Sequence, residues 1–188
     1  ACVYVLTLRN LPGLAQLAGL IGDPHVRHMG TIGGSIANND PAADYPAALV
    51  GLGATVHTSK RAISADHFFT GMFETALDPA EIVTRVSFPK PLRSAYEKFR
   101  NPASQFALVG VFVAEIADGT VRVAVTGAAP CVFRVTAIEA ALKSQFAPEA
   151  AESATINADG LNSDIHASAQ FRAHLIPVLA ARAVAALR

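Results

Sequence analysis

Three glycines within five residues constrain this chain more than any other feature of its sequence. They fall in His28-Met29-Gly30-Thr31-Ile32-Gly33-Gly34-Ser35, and a run of small and polar residues follows, Ile36-Ala37-Asn38-Asn39-Asp40-Pro41-Ala42-Ala43-Asp44. Glycine lets the backbone reach positive φ and lets a ligand touch the main chain. Successive N–H groups in such a turn form a concave nest that favours anions, phosphate above all. Thr31 and Ser35 add hydroxyl donors. Asp40 and Asp44 repel phosphate, but a carboxylate accepts hydrogen bonds from ribose hydroxyls or an adenine amino group. The chemistry suggested is a dinucleotide held by backbone, with one acid reading the sugar. A Gly-Gly pair also serves simple tight turns, so the residues alone leave both readings open. The spacing excludes a G-x-x-x-x-G-K-[ST] loop and a G-x-G-x-x-G turn between strand and helix.

Composition narrows the class. A chain of 188 residues suits one large or two small domains and can bury most of its apolar surface. Hydrophobic residues make up 52% and charged residues 16%, a pattern that suits a subunit partly covered by partners, although Ala-rich helices would read the same way. Formal net charge is zero, which gives no electrostatic case for nucleic acid or an anionic membrane. No interval reaches the roughly 18 apolar residues of a membrane span, and no secretory signal is visible at the start. A cytoplasmic location is expected. Cys2 and Cys131 lie too far apart for a C-x-x-C motif and read as reduced thiols. The histidines lack any recurrent ligand spacing, and no metal site is expected.

Periodicity gives an α+β order. Residues 11–20 carry apolar side chains at helix spacing, ended by Gly22 and Pro24. After the glycine segment, 46–52 reads as a helical turn or two, 54–58 and 60–63 as hairpin arms, and 65–69 as a short helix. Residues 82–88 read as a strand with Ile82, Thr84, Val86 and Phe88 on one side. Pro89-Lys90-Pro91-Leu92-Arg93-Ser94 is the expected domain boundary, dividing 1–91 from 92–188, since two prolines break regular structure. Beyond it, 95–100, 107–116 and 120–126 read as strands, the last two joined at Asp118-Gly119. Helices are expected at 136–143, 148–154 and 167–187, the last kinked or bounded at Pro177.

Residues 26–54 resemble the signature of the FAD-binding medium subunits of molybdenum hydroxylases, which include carbon monoxide dehydrogenase medium subunits and xanthine dehydrogenase flavin subunits. Further blocks agree in order. They are Phe68-Phe69-Thr70-Gly71, Leu77-Asp78-Pro79-Ala80-Glu81-Ile82-Val83, Val86-Ser87-Phe88-Pro89, Ala95-Tyr96-Glu97-Lys98-Phe99 and Phe106-Ala107-Leu108-Val109-Gly110. The closing Ser163-Asp164-Ile165-His166-Ala167-Ser168-Ala169-Gln170-Phe171-Arg172 completes the set. The resemblance implies an α+β fold: the second half of a PCMH-type FAD-binding domain, then a C-terminal domain with an antiparallel sheet and a helical layer. It implies FAD as cofactor, with the molybdenum cofactor and [2Fe–2S] clusters on a molybdopterin large subunit and an iron–sulfur small subunit, in a dimer of heterotrimers. The family's first glycine-rich loop, resembling A-G-G-x-S-L-x-P, has no counterpart ahead of Leu8, so half a flavin site is expected in these residues.

Carried onto this sequence, the resemblance implies phosphate contacts from Thr31, Ile32, Gly33, Gly34 and Ser35. It implies a nucleotide contact from Asp44, whose alternative role is an N-cap for 46–52. Ile21 and Val83 match positions close to the cofactor, and either could be simple core. Lys98 resembles the family lysine that reaches the isoalloxazine; in a strand it shares a face with Tyr96 and Arg100. No catalytic residue is expected. Asp164-Ile165-His166 with Phe171-Arg172 reads as a structural cap or a subunit contact. The competing expectation is a subunit-interaction module without bound flavin.

Overall fold

The computed structural model describes residues 10–187. Helix α1 (Pro12–Leu20) begins with proline in its first turn and buries Gly13, Leu14, Ala15 and Leu17. Gly13 is glycine because α1 lies directly on a strand: a Cβ there would come within 2.7 Å of Ser94 Oγ. A short helix not anticipated from sequence follows, α2 (Pro24–Met29), capped by the Asp23 carboxylate, which accepts the N–H groups of His25 and Val26. Next come α3 (Ile32–Asn38) and α4 (Tyr45–Leu52), whose residues from Pro46 onward are all buried.

Strands β1 (Thr55–Thr58), β2 (Ala62–Ser64) and β5 (Val83–Ser87) form a three-stranded antiparallel sheet in the order β2-β1-β5. The short helix α5 (Ala65–Phe68) and a second unanticipated element, the hairpin β3 (Phe69–Gly71)–β4 (Glu74–Thr75), come between β2 and β5 in the chain. The expected alternation over 82–88 holds at Val86 and Phe88 and fails at Ile82 and Thr84. A register shift at His57/Thr58 pairs Thr58 with Val83, so Val83 and Val86 are the half-buried valines while Ile82 is 68% exposed.

The four-stranded antiparallel sheet is ordered β6 (Pro91–Arg100), β7 (Ala107–Ile116), β8 (Val121–Thr126), β9 (Phe133–Arg134). Strand β6 starts at Pro91 rather than Ala95. It is an edge strand, where proline's missing N–H breaks no ladder. One face, with Val109, Val111, Val113, Val121, Val123 and Val125, packs on α6 (Thr136–Ser144), α7 (Pro148–Glu152) and α8 (Ala169–Ala185). The opposite face, with Tyr96, Phe112 and Ala114, packs on Leu14 and Leu17 of α1 and Ala47, Ala48 and Leu52 of α4. Residues on both sides of the proline pair thus share one apolar cluster. Covered on both faces, β7 is buried from Ala107 to Ala114, which is why it reads as an unbroken apolar run.

The Asp118-Gly119 turn is as expected: the Asp118 side chain accepts the Thr120 N–H at 2.9 Å, and Gly119 sits at φ 81°. Helix α8 begins after Ser168, whose Oγ caps the Phe171 N–H, and it continues through Pro177 instead of ending there. Cys131 is a free thiol; Cys2 lies outside the described residues.

Candidate cofactor site

A cavity of about 900 Å³ opens between the end of α1, α2, the start of α3 and the segment leading into α4. Of the residues expected at a nucleotide, Ile21, Thr31, Gly34, Ser35 and Asp44 line it, while Ile32, Gly33, Val83 and Lys98 are not part of its lining.

The glycine segment is not the positive-φ nest that the sequence suggests. Positive-φ glycines among the described residues are Gly53, Gly119, Gly127 and Gly160, and none is in this stretch. Gly33 and Gly34 instead lie in the first turn of α3. Thr31 is its N-cap, with Oγ1 accepting the Gly34 N–H at 3.0 Å. Its hydroxyl proton remains available to a ligand. The donors on offer are therefore those of a helix start, where the first N–H groups have no intrahelical acceptor. Those of Ile32 and Gly33 find none among the described residues.

The fold itself does not account for Gly33. A Cβ there would meet only the Val83 side chain, at an ordinary 3.8 Å, whereas one at Gly30 would press to 2.4 Å from Val26 O and one at Gly22 to 2.1 Å from Gln105 Cβ. Glycine in a helix costs about 1 kcal/mol relative to alanine, and here no contact among the described residues recovers it. An open position beside free N–H groups fits a phosphate-bearing dinucleotide such as FAD, and Val83 is placed next to it on β5.

Asp44 is buried, at 7% exposure, although it lines the cavity. Its expected capping of α4 does not occur. Its backbone is itself helical (φ −76°, ψ −42°) and its side chain makes no cap bond, because the carboxylate is turned toward β6. There Tyr96 Oη donates to Oδ1 at 2.5 Å and Lys98 Nζ donates to Oδ2 at 3.0 Å. Burial pushes the Asp44 carboxyl upward from its ordinary range, opposed by the Lys98 charge and the Tyr96 and Lys98 hydrogen bonds. Burial, with the Asp44 charge, also raises the Tyr96 hydroxyl well above its usual value and raises that of Tyr45.

Lys98 shares a face with Tyr96, as alternation predicts, but its side chain is only 2% exposed and does not reach into the cavity. Its second acceptor is the Leu20 carbonyl, at 3.0 Å, while the Arg27 guanidinium donates to the Ile21 carbonyl. Two cations thus satisfy the carbonyls left open at the end of α1 and hold the Ile21 wall in place. Arg27, Phe106 and Tyr96 were not singled out as site residues from sequence. Tyr96 was recoverable from its spacing to Lys98, and Gly110 from being an isolated glycine inside a strand.

Asp164 and Arg172 form a structural clamp. Arg172 is 2% exposed and donates to Leu108 O at 2.6 Å, to Gly127 O at 3.1 Å and to Asp164 at 2.7 Å. Among the described residues no cluster of side chains could hold a metal ion, and no helix is long and apolar enough to cross a membrane.

Comparison with known proteins places the fold and the family. Residues 1–91 match the FAD binding domain in molybdopterin dehydrogenase, and residues 94–187 match the CO dehydrogenase flavoprotein C-terminal domain. The chain is 35% identical over 189 residues to the nicotine 6-hydroxylase medium subunit of Paenarthrobacter nicotinovorans, covering 94% of this chain and 67% of that one. It is also 35% identical over 136 residues to the carbon monoxide dehydrogenase medium chain of Hydrogenophaga pseudoflava, covering 66% of this chain and 47% of that one. A solved structure of carbon monoxide dehydrogenase from the same organism, lacking the Mo-pyranopterin moiety of its cofactor, shares the fold with a TM-score of 0.85 at 32% identity, over 97% of this chain and 69% of that chain. The chain spans about two thirds or less of the length of these relatives. Matched in order along nearly all of its residues, and sharing their fold, it belongs to the family of FAD-binding medium subunits of molybdenum hydroxylases.

Proposed function

We propose that this chain serves as the FAD-binding electron-transfer subunit of a molybdenum-containing hydroxylase or dehydrogenase, passing electrons from iron–sulfur clusters on a partner to an external acceptor. FAD supplies the redox chemistry when bound; the residues of this chain bind, orient and tune. The observation that carries the reading is Gly33: a glycine that no contact among the described residues requires, beside unpaired N–H groups in the helical turn whose Thr31, Gly34 and Ser35 line a cavity shared with a buried acid. In this assignment the N–H groups of Ile32 and Gly33, with the Thr31 and Ser35 hydroxyls, take the diphosphate. Asp44 takes a ribose hydroxyl or an amino group, Ile21 forms an apolar wall, Val83 supports the turn at Gly33, and Lys98 acts on the cofactor's potential from beneath the floor.

An iron–sulfur small subunit and a molybdopterin large subunit complete the assembly as a dimer of heterotrimers in the cytoplasm. A second reading, an interaction module without flavin, draws on the exposure of Met29 (85%) and Ile165 (95%), apolar side chains suited to a protein partner. Reconstitution separates the two. With partner subunits and substrate present, acceptor reduction is expected only when this subunit carries FAD. Equal acceptor reduction with the FAD-free subunit contradicts the proposal.

A further inference from the structure

A carboxyl group accepts hydrogen bonds from the hydroxyl or amino groups of a ligand most strongly when it is ionised, and burial works against ionisation. Asp44 meets both conditions at once, since it lines the cavity and is 7% exposed. The groups that oppose its burial all come from the sheet side. Tyr96 and Lys98 project from the same face of β6, and each takes one carboxylate oxygen, at 2.5 and 3.0 Å. Across the ladder, Lys98 pairs with Gly110 and Tyr96 with Phe112. A Cβ at Gly110 would lie 2.1 Å from Tyr96 Oη, so the hydroxyl occupies space that only glycine leaves. The Tyr96 ring rests on Phe112, with centroids 6.3 Å apart, and its backbone N–H is held by Gln16. The hydroxyl is therefore fixed before any ligand arrives.

We propose that Tyr96 is a positioning residue of the cofactor site. Its hydroxyl, with the Lys98 ammonium, keeps the Asp44 carboxylate ionised and turned so that its remaining lone pairs accept a ribose hydroxyl or an amino group in the cavity. The identity of that ligand rests on the FAD reading above; the positioning does not. The surrounding groups are few. Helix α4 brings Tyr45, and the segment before it brings Asp40, whose carboxylate is engaged by the Ala42 N–H. Helix α2 brings Arg27, at the Ile21 carbonyl. Helix α1 faces the network with the Leu20 carbonyl, and β7 with Gly110 and Phe112, none of them titratable.

The test uses the whole chain and two readouts. In the ligand-free protein, carbon-detected NMR follows the Asp44 carboxyl, and Tyr96→Phe is expected to raise its titration midpoint by about one pH unit, the size of one hydrogen bond to a charged group. FAD affinity, read by flavin fluorescence across pH, is expected to fall on the acid side of that midpoint, and about one pH unit sooner in Tyr96→Phe, with affinity regained on raising the pH. Asp44→Asn should bind weakly and lose this step. An unmoved Asp44 midpoint in Tyr96→Phe overturns the proposal, as does an affinity loss equal at every pH, the result that simple repacking would give. A midpoint that moves as stated in a chain whose cavity takes no FAD overturns the FAD reading and leaves the positioning standing.

Discussion

Asp44–Lys98 and Asp164–Arg172 are both ion pairs with a buried cation tied to the four-stranded sheet, and they differ in what remains unsatisfied. In the second pair the cation is turned wholly into the fold: Arg172 binds two main-chain carbonyls through Nη1 and an acid, itself 45% exposed, through Nη2, and its buried Nε has no partner among the described residues. In the first pair the anion is the buried member. It keeps acceptor capacity beyond Tyr96 and Lys98, and it borders a cavity of about 900 Å³. A charge enclosed by main-chain carbonyls acts as a clamp, whereas a charge stabilised from behind and open in front is a binding group. The glycines divide the same way. Gly22, Gly30 and Gly110 are demanded by close contacts within the fold, and Gly33 is not.

The largest effect expected from this contrast is at the clamp. Arg172→Met strands the Leu108 and Gly127 carbonyls and should lower unfolding stability by about 3 kcal/mol in urea titrations. FAD affinity of the folded fraction should be unchanged. A loss of affinity there would erase the distinction between clamp and site. Next comes Gly33→Ala, which should leave stability equal or better, by up to about 1 kcal/mol, yet weaken FAD by at least about tenfold, or roughly 1.4 kcal/mol. Thermal melts and FAD titration on the same sample measure both signs.

Lys98→Met sharpens the comparison from the other side. Without its cation, the Asp44 carboxyl is pushed further toward the neutral form, which offsets part of the lost positive charge, and the two-electron potential should fall by less than about 30 mV, which corresponds to roughly 1.4 kcal/mol. The drop should widen at higher pH, as Asp44 ionises unpaired. A dye-coupled redox titration at two pH values reads this. A large, pH-independent shift would mean that Lys98 reaches the ring as a free charge.

The smallest effect lies away from both pairs, at Glu81. Arg61, the Asp78 N–H and the Thr58 hydroxyl hold its carboxyl down at about 2, against an ordinary 4.5. A depressed folded-state value gives stability that is present above the unfolded value and lost as pH falls toward 2. Glu81→Gln should flatten the acid limb of the stability profile in that window by lowering stability at neutral pH, and should leave stability below about pH 2 nearly untouched.

Local patterns were legible in the sequence. Strand β7, the Asp118-Gly119 turn and helices α1 and α6 follow from periodicity and turn chemistry, because their signals lie within a few residues. Three features were hidden for a physical reason. Thr31-Ile32-Gly33-Gly34 reads as a nest because glycine disfavours helix interiors, but a first helical turn with a Thr cap tolerates it. Pro91 reads as a break because edge position, which excuses it, is a property of the sheet and not of the chain. The partners of Asp44 are 52 and 54 residues away in sequence, so its use by Tyr96 and Lys98 emerges only with the tertiary fold. The resemblance pointed to Asp44 and Lys98 separately, and the structure joins them.

The most direct test of the central account is a nitrogen-15 NMR titration of this chain with FAD, which detects weak binding as well as strong. The account predicts that the largest amide shifts fall on Ile32, Gly33, Gly34 and Ser35, with a second group around Ile21 and Asp44 and none at Arg172. Shifts concentrated elsewhere, or a spectrum unchanged by saturating FAD, would contradict it.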